Sequence, residues 1–249
     1  MAGLEFSFQE TIDEVQALME LARKFLDQSH LHTMGDLIVD LQGYRDNRSD
    51  MVFNWGIPES RPLKTIVSDG AYRSGGKGGH KVFAEVTSVW EILRIRPKNQ
   101  NSRAERFSVC GKASTRVRLI ERDMPENHQL AMWRMEIGTG DSPGCHFHVQ
   151  VLGEELSGPF PRSLDIPRLP SIIATPAAVI EYVLGELFQD KWRAVVSAQS
   201  PSLNRWAPIQ KRRLVSLLSW HTAVVQGSSG SPLSALKAAK PDAGMFRDR

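Results

Sequence analysis

The residues best suited to chemistry lie in the stretch Gly144-Cys145-His146-Phe147-His148-Val149-Gln150-Val151. It alternates strictly, with Cys145, Phe147, Val149 and Val151 apolar and His146, His148 and Gln150 polar. Side chains of a strand point to opposite faces in turn, so this pattern predicts one apolar face and one face of imidazole and amide groups. Just upstream, Leu130-Ala131-Met132-Trp133-Arg134-Met135-Glu136-Ile137 reads as a second strand, and the turn-rich Gly138–Gly144 joins the two. A hairpin closed with Ile137 facing Cys145 would put Glu136 opposite His146 and Arg134 opposite His148. A carboxylate, a guanidinium, two imidazoles and a carboxamide would then share one exposed sheet face.

A His-x-His strand has three physical uses. Two imidazoles from one face can begin a metal site, which then needs a further ligand such as Glu136. They can act as nucleophile or general acid and base at phosphorus, with a carboxylate orienting the ring. They can also simply hydrogen-bond a neighbouring segment onto the sheet. Glu136 and Arg134 favour an active site, because a carboxylate tunes an imidazole and a guanidinium binds anions. The phosphate-directed reading assigns catalysis to His146, His148 and Glu136 and substrate binding to Arg134, Gln150 and Arg168. It assigns no metal and names no cofactor.

The elements that must position these groups read as α+β. Residues 7–28 form an amphipathic helix with a Ser7/Glu10 capping box, and a second helix covers Met34–Leu41. Lys81–Arg96 is a strand rich in Val, Ile, Phe, Trp and Thr, and Glu105–Cys110 and Ser114–Arg122 are two more. With the two chemical strands they make an antiparallel sheet of about five strands. Helices on the N-terminal and C-terminal sides should pack on one of its faces. Four prolines between Gly158 and Pro170 exclude a regular helix there and leave Arg168 fixed just after the histidine strand. Thr175-Pro176 caps a strongly apolar helix, and a last helix runs from about Asn204 to Val225. One domain, 1–225, follows: helical over 1–43, sheet over 80–152, helical over 175–225. The Gly-, Ser- and Ala-rich 226–249 reads as a disordered tail.

Charge adds a second clue. The chain of 249 residues carries a net charge of only +3. Yet Arg94, Arg96, Lys98, Arg103, Arg106, Lys112, Arg116, Arg118 and Arg122 fall between positions 94 and 122, against Glu105 and Glu121 alone. Such a cluster attracts phosphates or acidic partners, with Arg94, Arg96, Arg116, Arg118 and Arg122 as the nucleic-acid contacts and Trp90 as an exposed aromatic. The alternative is a solvated sheet face. The loop Ser68–His80 is not a phosphate loop: Ala71 stands where the first glycine belongs, and Gly78 replaces the hydroxyl after Lys77. No apolar run reaches membrane-spanning length, and Met1–Phe6 does not resemble a signal peptide. Cys110 and Cys145 then read as reduced thiols, and the expected address is the cytoplasm, with no membrane partner.

Two resemblances touch the histidine strand. His146-Phe147-His148-Val149-Gln150 resembles the His-x-His-x-Gln motif of the histidine triad superfamily, over fewer than ten residues. That likeness implies a nucleophilic role for His148 on a nucleotide phosphate, with Gln150 beside it. Residues 130–195 resemble uncharacterised bacterial families that combine a His-x-His strand, an Arg-hydrophobic-Pro-Ser/Thr element (here Arg168–Ser171) and a Thr-Pro-capped helix. This second likeness implies a bacterial cytoplasmic protein in a phage-defence or toxin–antitoxin setting. The leading expectation is a nuclease or nucleotide phosphodiesterase. The rival is a non-catalytic subunit that uses the basic sheet face to bind nucleic acid or to assemble with a protein partner.

Overall fold

The computed structural model describes residues 3–48, 50–70, 80–95, 105–122, 128–138, 145–151, 169–172 and 175–247. Among these, nine strands form one antiparallel sheet, larger than the five expected. The order along it is β2 (Phe53–Trp55), β5 (Lys81–Ile95), β6 (Arg106–Glu121), β7 (Gln129–Ile137), β8 (Phe147–Val151) and β9 (Leu169–Pro170). Short strands β3 (Leu63–Lys64) and β4 (Ser68–Asp69) also pair with β5, and β1 (Glu5–Ser7) pairs with β6.

The expected strands 105–110 and 114–122 are a single strand, β6. Its partner β5 shifts register between Trp90 and Ile92. A bulge there absorbs Gly111 and Lys112 where the sequence suggests a break. Gly111 lies against Glu91, whose carboxylate would sit 1.8 Å from any Cβ at that position. The same carboxylate accepts from the Lys112 backbone N–H at 3.2 Å.

Helices α1 (Phe8–Ala22), α2 (Leu31–Asp46), α3 (Pro176–Ser197) and α4 (Pro201–Gln226) cover one face. Ser7 caps α1, Thr175 caps α3, and both α3 and α4 begin on proline. The helices bury Val82, Ala84, Val86, Trp90 and Ile92 of β5 with Val117, Phe107 and Phe147. Trp90 is thus a core residue, 2% exposed, and not a surface aromatic. Its edge meets Trp55 at 5.9 Å, a favourable aromatic geometry.

The expected disordered tail needs correction as far as residue 247. Ser231 caps a short helix, α5 (Pro232–Ala238). Phe246 then enters the core, with its ring 5.3 Å from Phe6. Arg247 donates to both oxygens of Glu5 at 2.6 and 2.8 Å. Phe246 anchors the low-complexity stretch, since burying such a ring is worth about 1.5–3 kcal/mol, together with the Arg247–Glu5 pair and a bond from Glu5 N–H to the Ala243 carbonyl.

Candidate anion site on the free face of the sheet

The face of the sheet away from the helices is built from three cross-strand rows. Glu85, Arg118 and Met132 form one; Thr87, Arg116, Arg134 and Gln150 the next; Val89, Ser114, Glu136, His148 and Pro170 the third. Directly opposed residues of an antiparallel pair share a face and interact most strongly. The register therefore corrects the expected hairpin: Ile137 pairs with Phe147, so Glu136 faces His148 and Arg134 faces Gln150. The slip is two residues, which changes partners and keeps faces.

Row contacts join into a relay. His148 Nδ1 lies 2.8 Å from the Cys145 carbonyl oxygen and its Nε2 3.1 Å from Glu136 Oε2. A carbonyl oxygen only accepts, so Nδ1 carries a hydrogen. Nε2 then faces the Glu136 carboxylate. The other Glu136 oxygen is 2.9 Å from Arg134 Nε. Arg134 Nη2 donates to Gln150 Oε1 at 2.7 Å. His148 is 1% exposed and Gln150 6%, so this face is not the open one expected. Both His148 nitrogens are occupied, and the ring serves to orient Glu136 and through it Arg134.

His146 stays outside the relay. It lies just before β8, half-buried, and among the described residues its Nε2 is buried without a partner. Burial first, then the charges of His148 and Lys240, push the ring down to about 4. Among the described residues, no group of three His, Cys, Asp or Glu side chains converges as a metal site.

The expected basic surface is divided. Arg94 falls on the helix side of β5 with Ile92 and donates to Glu105 at 2.6 Å. Arg118 pairs with Glu85, which also meets Lys64 at 2.8 Å. Burial opposes ionisation of Glu85, yet those two cations hold its carboxyl below the usual range. Arg116 meets Glu59 at 2.7 Å. Arg122 lines a separate cavity of about 670 Å³ with Lys64, Lys81 and two aspartates. Arg96 and Arg168 lie outside the described residues.

What the sequence did not signal is the concavity beside the relay. A cavity of about 260 Å³ has Thr87, Ser114, Arg116 and Arg134 on its floor, with Lys112 at its side. Its wall is residues 54–59, the end of β2 and the turn beyond it at the edge of β5. Gly56 makes the turn at φ +154°, with Ser88 O only 2.2 Å from any Cβ it could carry. Only glycine fits there. Ser88 then pins the wall, its hydroxyl accepting from Ile57 N–H at 3.0 Å. Three cations and two hydroxyls thus converge on one hollow, and Arg134 reaches it already held by Glu136 and Gln150. The Glu59 carboxylate, on a largely exposed side chain, rests on Arg116 as an anion would. The chain matches no known protein family, no curated protein and no solved structure.

Proposed function

We propose that this protein binds a phosphate-bearing ligand of nucleotide size in the hollow formed by Lys112, Arg116 and Arg134. The convergence of these three cations with the Thr87 and Ser114 hydroxyls on a cavity of about 260 Å³ carries the reading. Guanidinium groups bind phosphate oxygens by paired, charge-assisted hydrogen bonds, and a lysine adds a point charge. His148 and Glu136 act in this reading as positioning residues for Arg134, so binding rather than hydrolysis is the core of it. The test is titration calorimetry with ATP and AMP on the full chain, and again on Arg116→Ala and Arg134→Ala. Each single change should weaken binding by about 10- to 100-fold, the value of a hydrogen bond to a charged group. Absence of nucleotide binding at low salt would overturn the proposal.

A second reading is favoured by the neighbouring cavity that holds Lys64, Lys81 and Arg122. A single-stranded nucleic acid running across both hollows would use both sets of cations. Its affinity would then fall with salt at a slope set by the number of phosphates contacted. An oligonucleotide that binds no tighter than its mononucleotide would exclude this longer footprint.

A further inference from the structure

A third cavity, of about 360 Å³, lies within the helical layer, far in chemical character from the hollow on the sheet. Its walls come from α3, α4 and the C-terminal stretch, with Ala178, Trp192, Leu214, Leu217 and Phe246 supplying apolar surface. Glu181 and Gln210 face the same space. The size and the mix of a mostly apolar lining with few polar groups are those of a small-molecule site.

The cavity is lined by two carboxylates, Glu181 and Glu186, and one cation, Arg213. Arg213 reaches it but is committed elsewhere, to Glu10 at 2.9 Å and Glu14 at 2.6 Å. Glu181 accepts from the Trp206 indole, and the charge acting on it is that of Glu14, also negative. Among the described residues no Lys or Arg forms an ion pair with it. Burial pushes its carboxyl up, as an uncompensated anion in apolar surroundings must be. The wall also holds strain. Gln189 interrupts α3 at φ +35°, ψ −106°, between Gly185 and Glu186 on one side and Trp192 on the other, all of which line the cavity. Such a conformation is strained, and strain of this kind clusters at ligand sites.

We infer that the cavity between α3 and α4 binds a small apolar ammonium compound whose charged nitrogen meets Glu181. The apolar body would rest on Trp192, Leu214 and Leu217, and the ammonium would supply the counter-charge that the protein does not. The probes are 2-phenylethylamine, 2-phenylethanol and 3-phenylpropionate, alike in body and different in head group, each titrated calorimetrically into the full chain at pH 7. The amine should bind at least about 10-fold tighter than the alcohol, since a hydrogen bond to a charged group exceeds a neutral one by that much, and the carboxylate should be weakest. Glu181→Gln should abolish the preference for the amine over the alcohol. Leu214→Trp, at a half-exposed position on the rim, should fill the space and block all three while the protein stays folded. Equal binding of amine and alcohol, a preference that survives Glu181→Gln, or no amine binding up to roughly 10 mM would overturn the inference.

Discussion

Two networks of buried charge stand on opposite sides of this fold, and they end differently. Between α1, α3 and α4, Glu14 is 1% exposed and accepts from Thr175 at 2.9 Å and Gln210 at 2.6 Å. Arg213 Nη1 lies 2.6 Å from its other oxygen, and Glu10 receives both Arg213 and Arg212. In that network each carboxylate is met by cations or donors, and α1 is fastened to α4. On the free face of the sheet the chain from Cys145 through His148 and Glu136 also begins buried, but it ends on Arg134, which lines a hollow. Desolvating a charge is costly, and a network that closes can recover the cost only within the protein. A network left open at one guanidinium can recover it from a ligand. A network whose cations all meet carboxylates fastens elements together, even where Arg213 and Gln210 also line a cavity. One that ends on a guanidinium facing a hollow can take an anion.

The largest expected effect tests the closed network. Glu14→Ala strands Arg213 in the interior, where breaking a buried pair costs about 3–5 kcal/mol. Chemical denaturation should show that loss, with nucleotide affinity unchanged once the protein is folded. A loss under about 1 kcal/mol would mean that water or a side-chain shift satisfies Arg213, and the contrast between the two networks would weaken.

His146 sharpens the contrast because it is half-buried without belonging to either network. Its folded ring is held down to about 4, mainly by burial, while in the unfolded chain it titrates near the ordinary imidazole value of 6.5. Above pH 6.5 both states are neutral and the group contributes nothing. Below it the unfolded chain takes up the proton first, so stability falls between about pH 6.5 and 4 and levels off beneath. The full loss is at most about 3 kcal/mol, from the linkage of proton binding to folding. His146→Leu should flatten that part of the stability–pH curve; an unchanged curve would place the acid sensitivity elsewhere.

His148→Ala comes next, and separates positioning from packing. It leaves the Cys145 carbonyl and Glu136 without their donor, which costs about 1–3 kcal/mol. Glu136 then loses the ring that orients it toward Arg134, so nucleotide affinity should fall while that of Arg134→Ala is not reduced further by adding the histidine change. Independent losses from the two substitutions would show that His148 does not act through Arg134.

Much of the open network could be read from the sequence, and the reason is geometric. Alternation along 130–137 and 145–151 fixes which side chains share a face, so Arg134, Glu136, His148 and Gln150 were expected together. Partners were not, because the register depends on the turn: Gly138 N–H bonds to His146 O, and the ladder begins at Ile137 with Phe147. The hollow itself left no local signal. Glu59, Thr87, Lys112 and Arg134 meet only because β5, β6 and β7 pair and the 54–59 segment folds over their edge. The closed network is remoter still, joining Glu10 and Glu14 of α1 to Arg212 and Arg213 about two hundred positions away. The tail was misread because composition counts a run of small residues and does not weigh one Phe246.

The smallest effect gives the most specific test, since its sign is opposite to that of ordinary damage. Glu59 occupies Arg116 at 2.7 Å from a side chain that is 77% exposed. Exposed ion pairs contribute only about 0–1 kcal/mol, so removing this one should barely alter stability. If the hollow takes phosphate, however, Glu59 competes with the ligand for Arg116, and the ligand must displace it. Glu59→Gln should therefore tighten nucleotide binding, by up to about 5-fold if the whole of that pair energy is released. It should act only through Arg116, so in an Arg116→Ala background the same change should do nothing. Weaker binding in Glu59→Gln would instead make Glu59 part of the ligand's own contacts, as it would be for a cationic ligand. That outcome would reverse the sign of the charge assigned to this hollow and leave the closed network as the better understood of the two.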